Sequence, residues 1–190
     1  YDDFSGILTK GGTILGSSRT PYKLIREPGA DGVDKVAAMK QTYYKLQLDC
    51  LVILGGNGTH KTANLLRQEG LNIVTLPKTI DNDLMNTDHT PGYGSAAKYI
   101  GAIMKEITRD SLVYGTRNVT IVEVMGRNAG WLTGAAALAK AEDCEGVDMI
   151  CLPEVAFDID HFIERLDVLQ RAKAGVVIAV SEGVRVHDGR

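Results

Sequence analysis

Two aspartates one residue apart, in Thr79-Ile80-Asp81-Asn82-Asp83, are the groups in this chain best suited to chemistry. They follow an apolar run and Pro77-Lys78, and they alternate with neutral polar side chains. In an extended segment, residues two apart face the same way, so both carboxylates can address one ligand. One carboxylate can take the proton of an attacking hydroxyl while the other holds a divalent cation against phosphate oxygens. The competing use of such a stretch is an Asx-rich turn that caps itself.

Other clusters suit the same chemistry. In Gly55-Gly56-Asn57-Gly58-Thr59 the glycines let backbone N–H groups close on a phosphate, and a helix start adds favourable partial charge. Thr59 offers a hydroxyl to phosphate or metal, although a glycine turn with a threonine cap has the same composition. In Met125-Gly126-Arg127 the guanidinium suits a phosphate or a sugar hydroxyl. Glu182, in Ser181-Glu182-Gly183, can accept hydrogen bonds from sugar hydroxyls or cap a helix. Pro153-Glu154 adds one more acid, and the loop from Gly11 to Arg19 ends in a cation able to meet an anion. His60, His89, His161 and His187 share no metal-ligand spacing and read as structural or solvated. Lys35, Lys40 and Lys45 read as a solvated helix face.

These clusters share an address. The apolar runs 51–54, 73–76, 119–124, 149–152 and 176–180 are rich in β-branched residues and bounded by Gly, Pro or polar residues, as expected of strands buried on both faces. Helical patterns lie between them. One spans about 95–112 with Ala97, Ile100, Ile103, Met104 and Ile107 in a stripe, and one spans about 160–173 with Phe162, Ile163, Leu166 and Leu169 on one side. The Ala-rich stretch 131–141 is helix-prone. The rhythm predicts an α/β doubly wound, largely parallel sheet, whose ligands bind beyond the carboxyl ends of the strands. Every cluster after Gly55 follows a strand.

Composition narrows the classes. The chain has 190 residues, 44% hydrophobic and 24% charged, with a net charge of −3. The balance gives no electrostatic reason to expect nucleic acid. No apolar run is long enough for a bilayer, and no signal peptide is evident, so neither membrane nor secretion is expected. Cys50, Cys144 and Cys151 lack metal-type spacing and fit reduced thiols of a cytoplasmic protein. Starting at Tyr1 and stopping at Arg190, the sequence reads as part of a longer polypeptide.

Taken in order, Gly11–Arg19, Gly55–Thr59, Pro77–Asp83, Val122–Arg127 and Ser181–Gly183 resemble the motifs of the phosphofructokinase family, over almost the whole chain. The resemblance implies two Rossmann-like three-layer α/β domains with the site between them. Residues 1–91 would belong to the phosphoryl-donor domain and 92–190 to the fructose 6-phosphate domain. It implies transfer of a phosphoryl group to the 1-hydroxyl of fructose 6-phosphate, with Mg²⁺ as cofactor, in a homotetramer or homodimer. Asp81 would be the base, Thr79 would contact the transferring group, and Arg19 would reach the donor phosphates. Thr79, Ile80, Asp81, Asp83, Met125, Gly126, Arg127 and Glu182 would line the sugar side, with Arg117 reaching a neighbouring subunit's sugar phosphate. Gly56, Asn57, Gly58, Thr59 and Lys78 would line the donor side, and Asn57 and Asp83 would serve the metal.

Departures from the pattern bear on the chemistry. Asn57 replaces a family Asp, which lowers the charge available to a metal. Asn118 stands where the family commonly has an arginine, with Arg117 one residue off. The donor is open between ATP and pyrophosphate. Gly58, where pyrophosphate users resemble one another in having Asp, leaves room for a nucleotide α-phosphate, whereas Lys78 is similar to pyrophosphate users. The pair resembles a mixed-substrate subgroup in which ATP is the working donor, and ATP is the expectation. Two rivals remain. An NAD kinase shares a loop of the Gly55–Thr59 kind but not the later motifs. A non-catalytic sugar-phosphate sensor of the same family would suit Asn57 but has no need of Asp81.

Overall fold

A computed structural model describes residues 4–17, 20–30 and 32–186. All the expected strands form: β1 (Leu51–Gly55), β2 (Ile73–Pro77), β3 (Asn118–Val124), β4 (Met149–Cys151) and β5 (Gly175–Ser181). The helices are α1 (Lys35–Lys45), α2 (Asn57–Gln68), α3 (Tyr93–Val113), α4 (Trp131–Gly134) and α5 (Ile159–Ala172). Asp34 and Asp158 cap α1 and α5 by accepting from the Ala37 and His161 N–H groups, each at 3.0 Å. β1 pairs with β2, and β5 lies between β3 and β4 with both parallel to it. The architecture is α/β with parallel pairing.

The register of this second sheet positions the chemistry. Val124 lies opposite Ser181, so β3 and β5 end level and the segments after them leave the sheet side by side. Cys151 pairs with Val180, which brings the Pro153-Glu154 segment out at the same edge. Met104, Val124, Leu132, Ala136, Ala139 and Ala179 form the buried cluster beneath that edge, with Ile100, Val122 and Ile150 packed against it. Full burial of a side chain such as Met104 contributes about 1.5–3 kcal/mol.

Packing divides the chain into two compact units, Tyr1–Val52 with Gly58–Val74, and Ile53–Asn57 with Thr75–Arg190. In the first, Tyr43, Leu65, Leu66 and Leu71 are buried. There Glu69 bonds both Arg26 (3.1 Å) and Lys40 (3.2 Å), and these cations hold its carboxyl below the ordinary glutamate value. Lys40 is therefore ion-paired, not simply solvated as the sequence suggests. The second unit carries the β3-β5-β4 sheet and most of the chemistry.

Several sequence expectations are corrected by packing. Only β5 is buried along almost its whole length; β1 and β3 leave alternate residues such as Val52, Leu54 and Ile121 exposed, and β2 exposes Val74, Thr75 and Leu76 in succession. The buried face of α3 is Ala97, Gly101, Met104, Thr108 and Ser111, while Ile100, Ile103 and Ile107 are half-buried. Small and hydroxyl side chains let α3 approach closely: a Cβ on Gly101 would sit 2.9 Å from the Leu138 Cβ. The stretch 131–141 is one α-turn followed by a 3-10 segment, Ala135–Ala139. No residue of α5 is fully buried, and Ile163 is exposed. Cys50, Cys144 and Cys151 are free thiols, and burial pushes that of Cys151 up.

Candidate active site

The β1 strand ends at Gly55 and α2 already starts at Asn57, so the glycine loop is shorter than its composition suggests. Gly58 and Thr59 occupy the first helical turn, where backbone N–H groups lack intrahelical partners. Gly56 packs tightly against the neighbouring strand end: a Cβ there would lie 3.3 Å from the Thr79 Cβ. A Cβ on Gly58 would meet nothing within 4 Å. Asn57 and Gly58 are exposed and Thr59 is half-buried. Lys78 is exposed, and its backbone N–H donates to the Gly55 carbonyl at 2.9 Å, which ties the two strand ends together.

Beyond β2 the alternating polar residues divide the work. Asn82, with φ of 54°, is buried and turned inward. Its Oδ1 accepts from the Thr90 N–H at 2.9 Å, and its Nδ2 donates to the Asp88 carbonyl at 3.2 Å. Thr90 Oγ1 in turn donates to the Thr79 carbonyl at 2.6 Å. The self-capping turn is therefore real, but Asn82 makes it and the two aspartates are left over. Thr79 Oγ1 accepts from the Asp81 N–H at 3.3 Å, and Ile80 is exposed.

Asp81 Oδ1 is buried with no hydrogen-bond partner. Burial, then repulsion from Asp83 and Glu182, raises the Asp81 carboxyl above the ordinary aspartate value, while Arg127 pulls it the other way. A buried, unpaired carboxylate oxygen is costly in isolation, which marks it as a group awaiting a partner. Removing Asn82 tests this support. Asn82→Ala leaves the buried Thr90 N–H unpaired, at a cost of about 1–3 kcal/mol. A Tm below that of wild type in a thermal melt is the expected result.

The β3 and β5 ends interlock. Gly126 N–H donates to Glu182 Oε1 at 3.1 Å, and Ser181 Oγ donates to the Gly126 carbonyl at 2.8 Å. Gly126 has φ of 125°, where a side chain would be strained. At Gly183 any Cβ would run into the Arg127 backbone. Glu182 thus serves the loop with one oxygen and keeps the other 4.0 Å from Arg127 Nη2. The Arg127 side chain is 72% exposed, and at that distance the pair is weak, so the guanidinium can take an external anion. Met125 is exposed beside it.

The structure therefore gathers Thr79, Asp81, Asp83, Arg127 and Glu182 in one electrostatic neighbourhood within the second unit. It does not gather Arg117, which is exposed at the amino end of β3, seven residues of strand (about 20 Å) from Arg127. Asn118 is occupied at that end, its Oδ1 accepting from Ser111 Oγ at 2.7 Å. Arg19 and His187 lie outside the described residues. Asn82, Thr90 and Ser181 are the supports that residue chemistry does not single out. In the sequence Asn82 is only the polar spacer between the acids, and Thr90, eight residues on, leaves no pattern at all.

The phosphofructokinase family profile matches residues 1–190. The chain belongs to the phosphofructokinase family. It is 46% identical, over 95% of its length, to a protein of Spirochaeta thermophila named ATP-dependent 6-phosphofructokinase, of which it covers 49%. It is 35% identical, over 99% of its length, to the pyrophosphate–fructose 6-phosphate 1-phosphotransferase of Amycolatopsis mediterranei, of which it covers 51%. Among solved structures, the pyrophosphate-dependent phosphofructokinase of Nitrosospira multiformis superposes with a TM-score of 0.72 and 32% identity, over 82% of this chain and 42% of that one. This phosphofructokinase chain thus spans about half the length of the curated relatives it matches.

The electrostatics around Asp81 give a signed pH dependence. If Asp81 must be ionised to act, kcat/KM of the full-length protein rises with pH through the raised Asp81 value. Glu182→Gln removes one repelling charge, so the midpoint of that acid limb moves to lower pH whatever happens to the amplitude. A midpoint that stays put or climbs in a pH–rate profile rules Asp81 out as the titrating group.

Proposed function

We propose that the full-length protein is a 6-phosphofructokinase, transferring the terminal phosphoryl group of ATP to the 1-hydroxyl of fructose 6-phosphate. The observation that carries this is Asp81: a carboxylate with one buried, unpartnered oxygen, its basicity raised, in the field of Arg127 and Glu182. In this reading Asp81 takes the proton from the sugar hydroxyl as the new O–P bond forms and the bond between the terminal phosphorus and the bridging oxygen breaks, releasing ADP, and Thr79 faces the transferring group. Arg127, with Met125 and Gly126, holds the sugar phosphate side, where Glu182 accepts from a sugar hydroxyl. Gly56, Asn57, Gly58, Thr59, Lys78 and Arg19 serve the donor phosphates. The division into a donor domain (1–91) and a sugar-phosphate domain (92–190) is part of the same proposal.

The residues present fit Mg²⁺ of the substrate-bound kind. Among the described residues no three His, Cys, Asp or Glu side chains form a cage. Mg²⁺ in phosphoryl-transfer sites takes one or two carboxylates and completes its shell with water and phosphate oxygens. Asp83, with Asn57 as a neutral ligand, would hold such an ion. When bound, the ion neutralises phosphate charge during transfer.

Open space at Gly58 supports ATP, as does the naming of the Spirochaeta relative. The exposed Lys78 and the Amycolatopsis relative support pyrophosphate as the second reading. The remote position of Arg117 suits a residue that serves another subunit's site, and we infer a homo-oligomer. No helix among the described residues is long and apolar enough to cross a membrane, and a cytoplasmic location is proposed. A coupled assay on the full-length protein, with fructose 6-phosphate as acceptor and ATP or pyrophosphate as donor, tests the whole reading. Sugar-phosphate binding without turnover on either donor would replace it with a sensor.

A further inference from the structure

Glu154 is a strand-end acid with no part in the reaction proposed above, yet it is engaged with the loop that carries Arg127. Its Oε1 accepts from the Gly130 N–H at 2.7 Å. A Cβ on Gly130 would lie 2.6 Å from Glu154 Oε2 and 2.9 Å from both Leu152 and Pro153, so the segment after β4 walls in that end of the loop. The other end is held by Glu182 Oε1 on the Gly126 N–H. The loop from Gly126 to Gly130 hangs between two carboxylates delivered by two different strands, with Arg127 in the span.

We infer that Glu154 is a positioning residue that sets the affinity for the sugar phosphate by fixing the carboxyl side of the Arg127 loop. This deepens the phosphofructokinase reading and rests on it. A short, charge-assisted hydrogen bond to a backbone amide is strong and directional. The Gly130 carbonyl simultaneously accepts from the Gly134 N–H at 2.7 Å, so the same residue starts α4. Losing the anchor frees the loop at the point where it joins the helix, and Arg127, three residues back, loses its pose. Glu154 also borders an open hollow of about 480 Å³ beside Trp131 and Leu138. Truncating it widens existing open space and creates no sealed cavity, so the fold tolerates the change.

The test compares Glu154→Ala with Glu154→Gln in the full-length protein. The Ala variant raises KM for fructose 6-phosphate roughly tenfold or more, while KM for the phosphoryl donor and Tm stay near wild type. Glutamine keeps an oxygen that accepts from the Gly130 N–H and returns KM to within about threefold of wild type. Amide hydrogen exchange over residues 125–131 quickens in the Ala variant and not in the Gln variant. Unchanged sugar-phosphate KM and exchange in Glu154→Ala, equal damage in both variants, or parallel losses in donor KM and Tm each overturn the positioning role. Should the wild-type protein phosphorylate no fructose 6-phosphate, the enzymatic reading fails by itself, and the exchange comparison decides whether Glu154 holds the loop.

Discussion

On the proposed kinase reading, Asp81→Asn in the full-length protein is expected to lower kcat by about 10²–10⁴-fold, the range by which a positioned general base accelerates proton transfer. KM for fructose 6-phosphate changes only a few-fold, because Arg127 and the Gly126 backbone remain in place. The amide is isosteric and cannot accept the proton, so the loss appears in turnover and not in binding. Stability moves the opposite way. The folded-state carboxyl has a raised value, so the folded protein binds that proton more tightly than the unfolded chain does. Its favourable contribution is complete below the unfolded aspartate range and is lost as pH rises through the folded value. Once pH has risen through that folded value, the wild-type protein carries the cost of an ionised, desolvated Asp81 that asparagine does not. The variant's Tm there equals or exceeds that of wild type, and the difference fades in acid. Steady-state kinetics with thermal melts at two pH values measure both effects. A variant that keeps wild-type kcat, or that loses turnover only because it unfolds, removes Asp81 from the mechanism.

Gly58→Asp has the second large effect. The position lies in the first turn of α2, and an added Cβ meets no atom within 4 Å. A carboxylate in a first helical turn is electrostatically favourable, and glycine is a poor helix former. The fold therefore accepts the change, and the melting temperature holds or rises. The proposed donor does not accept it. On the reading above, the new anion stands where a nucleotide's α-phosphate would lie, and juxtaposed like charges cost several kcal/mol. ATP kcat/KM falls by about 10²-fold or more, while pyrophosphate, which has no α-phosphate to be repelled, becomes the better substrate. The ratio of kcat/KM for the two donors, measured on one preparation, reports the switch. Unchanged ATP activity would show that no donor group approaches this residue.

Both Asp81 and Gly58 are legible in the amino-acid sequence, and the reason is local. Glycines before a helix start, or two acids behind a proline, advertise their chemistry by type and spacing within a few residues. β-branched runs punctuated by Gly and Pro likewise mark all five strands, because strand preference and chain punctuation are short-range properties. Charge, hydropathy and motif order suffice to place the chain among α/β phosphate-handling proteins.

Tertiary structure decided everything that depends on distant partners. The Gly126–Glu182 contact spans 56 positions and the Gly130–Glu154 contact 24, and hydrogen bonds at such separations leave no periodic trace in a sequence. The level ends of β3 and β5 follow from their register, which decides that Arg127 and Glu182 emerge together. Asn82 supports the turn and Asp81 remains unsatisfied because of which way each side chain faces, and composition treats the two almost alike. The face of α3 that packs is chosen by how closely backbones approach, so Gly101 and Thr108 are buried where larger apolar neighbours are only half covered. Residue chemistry names the reagents, and only the packed backbone determines which of them meet.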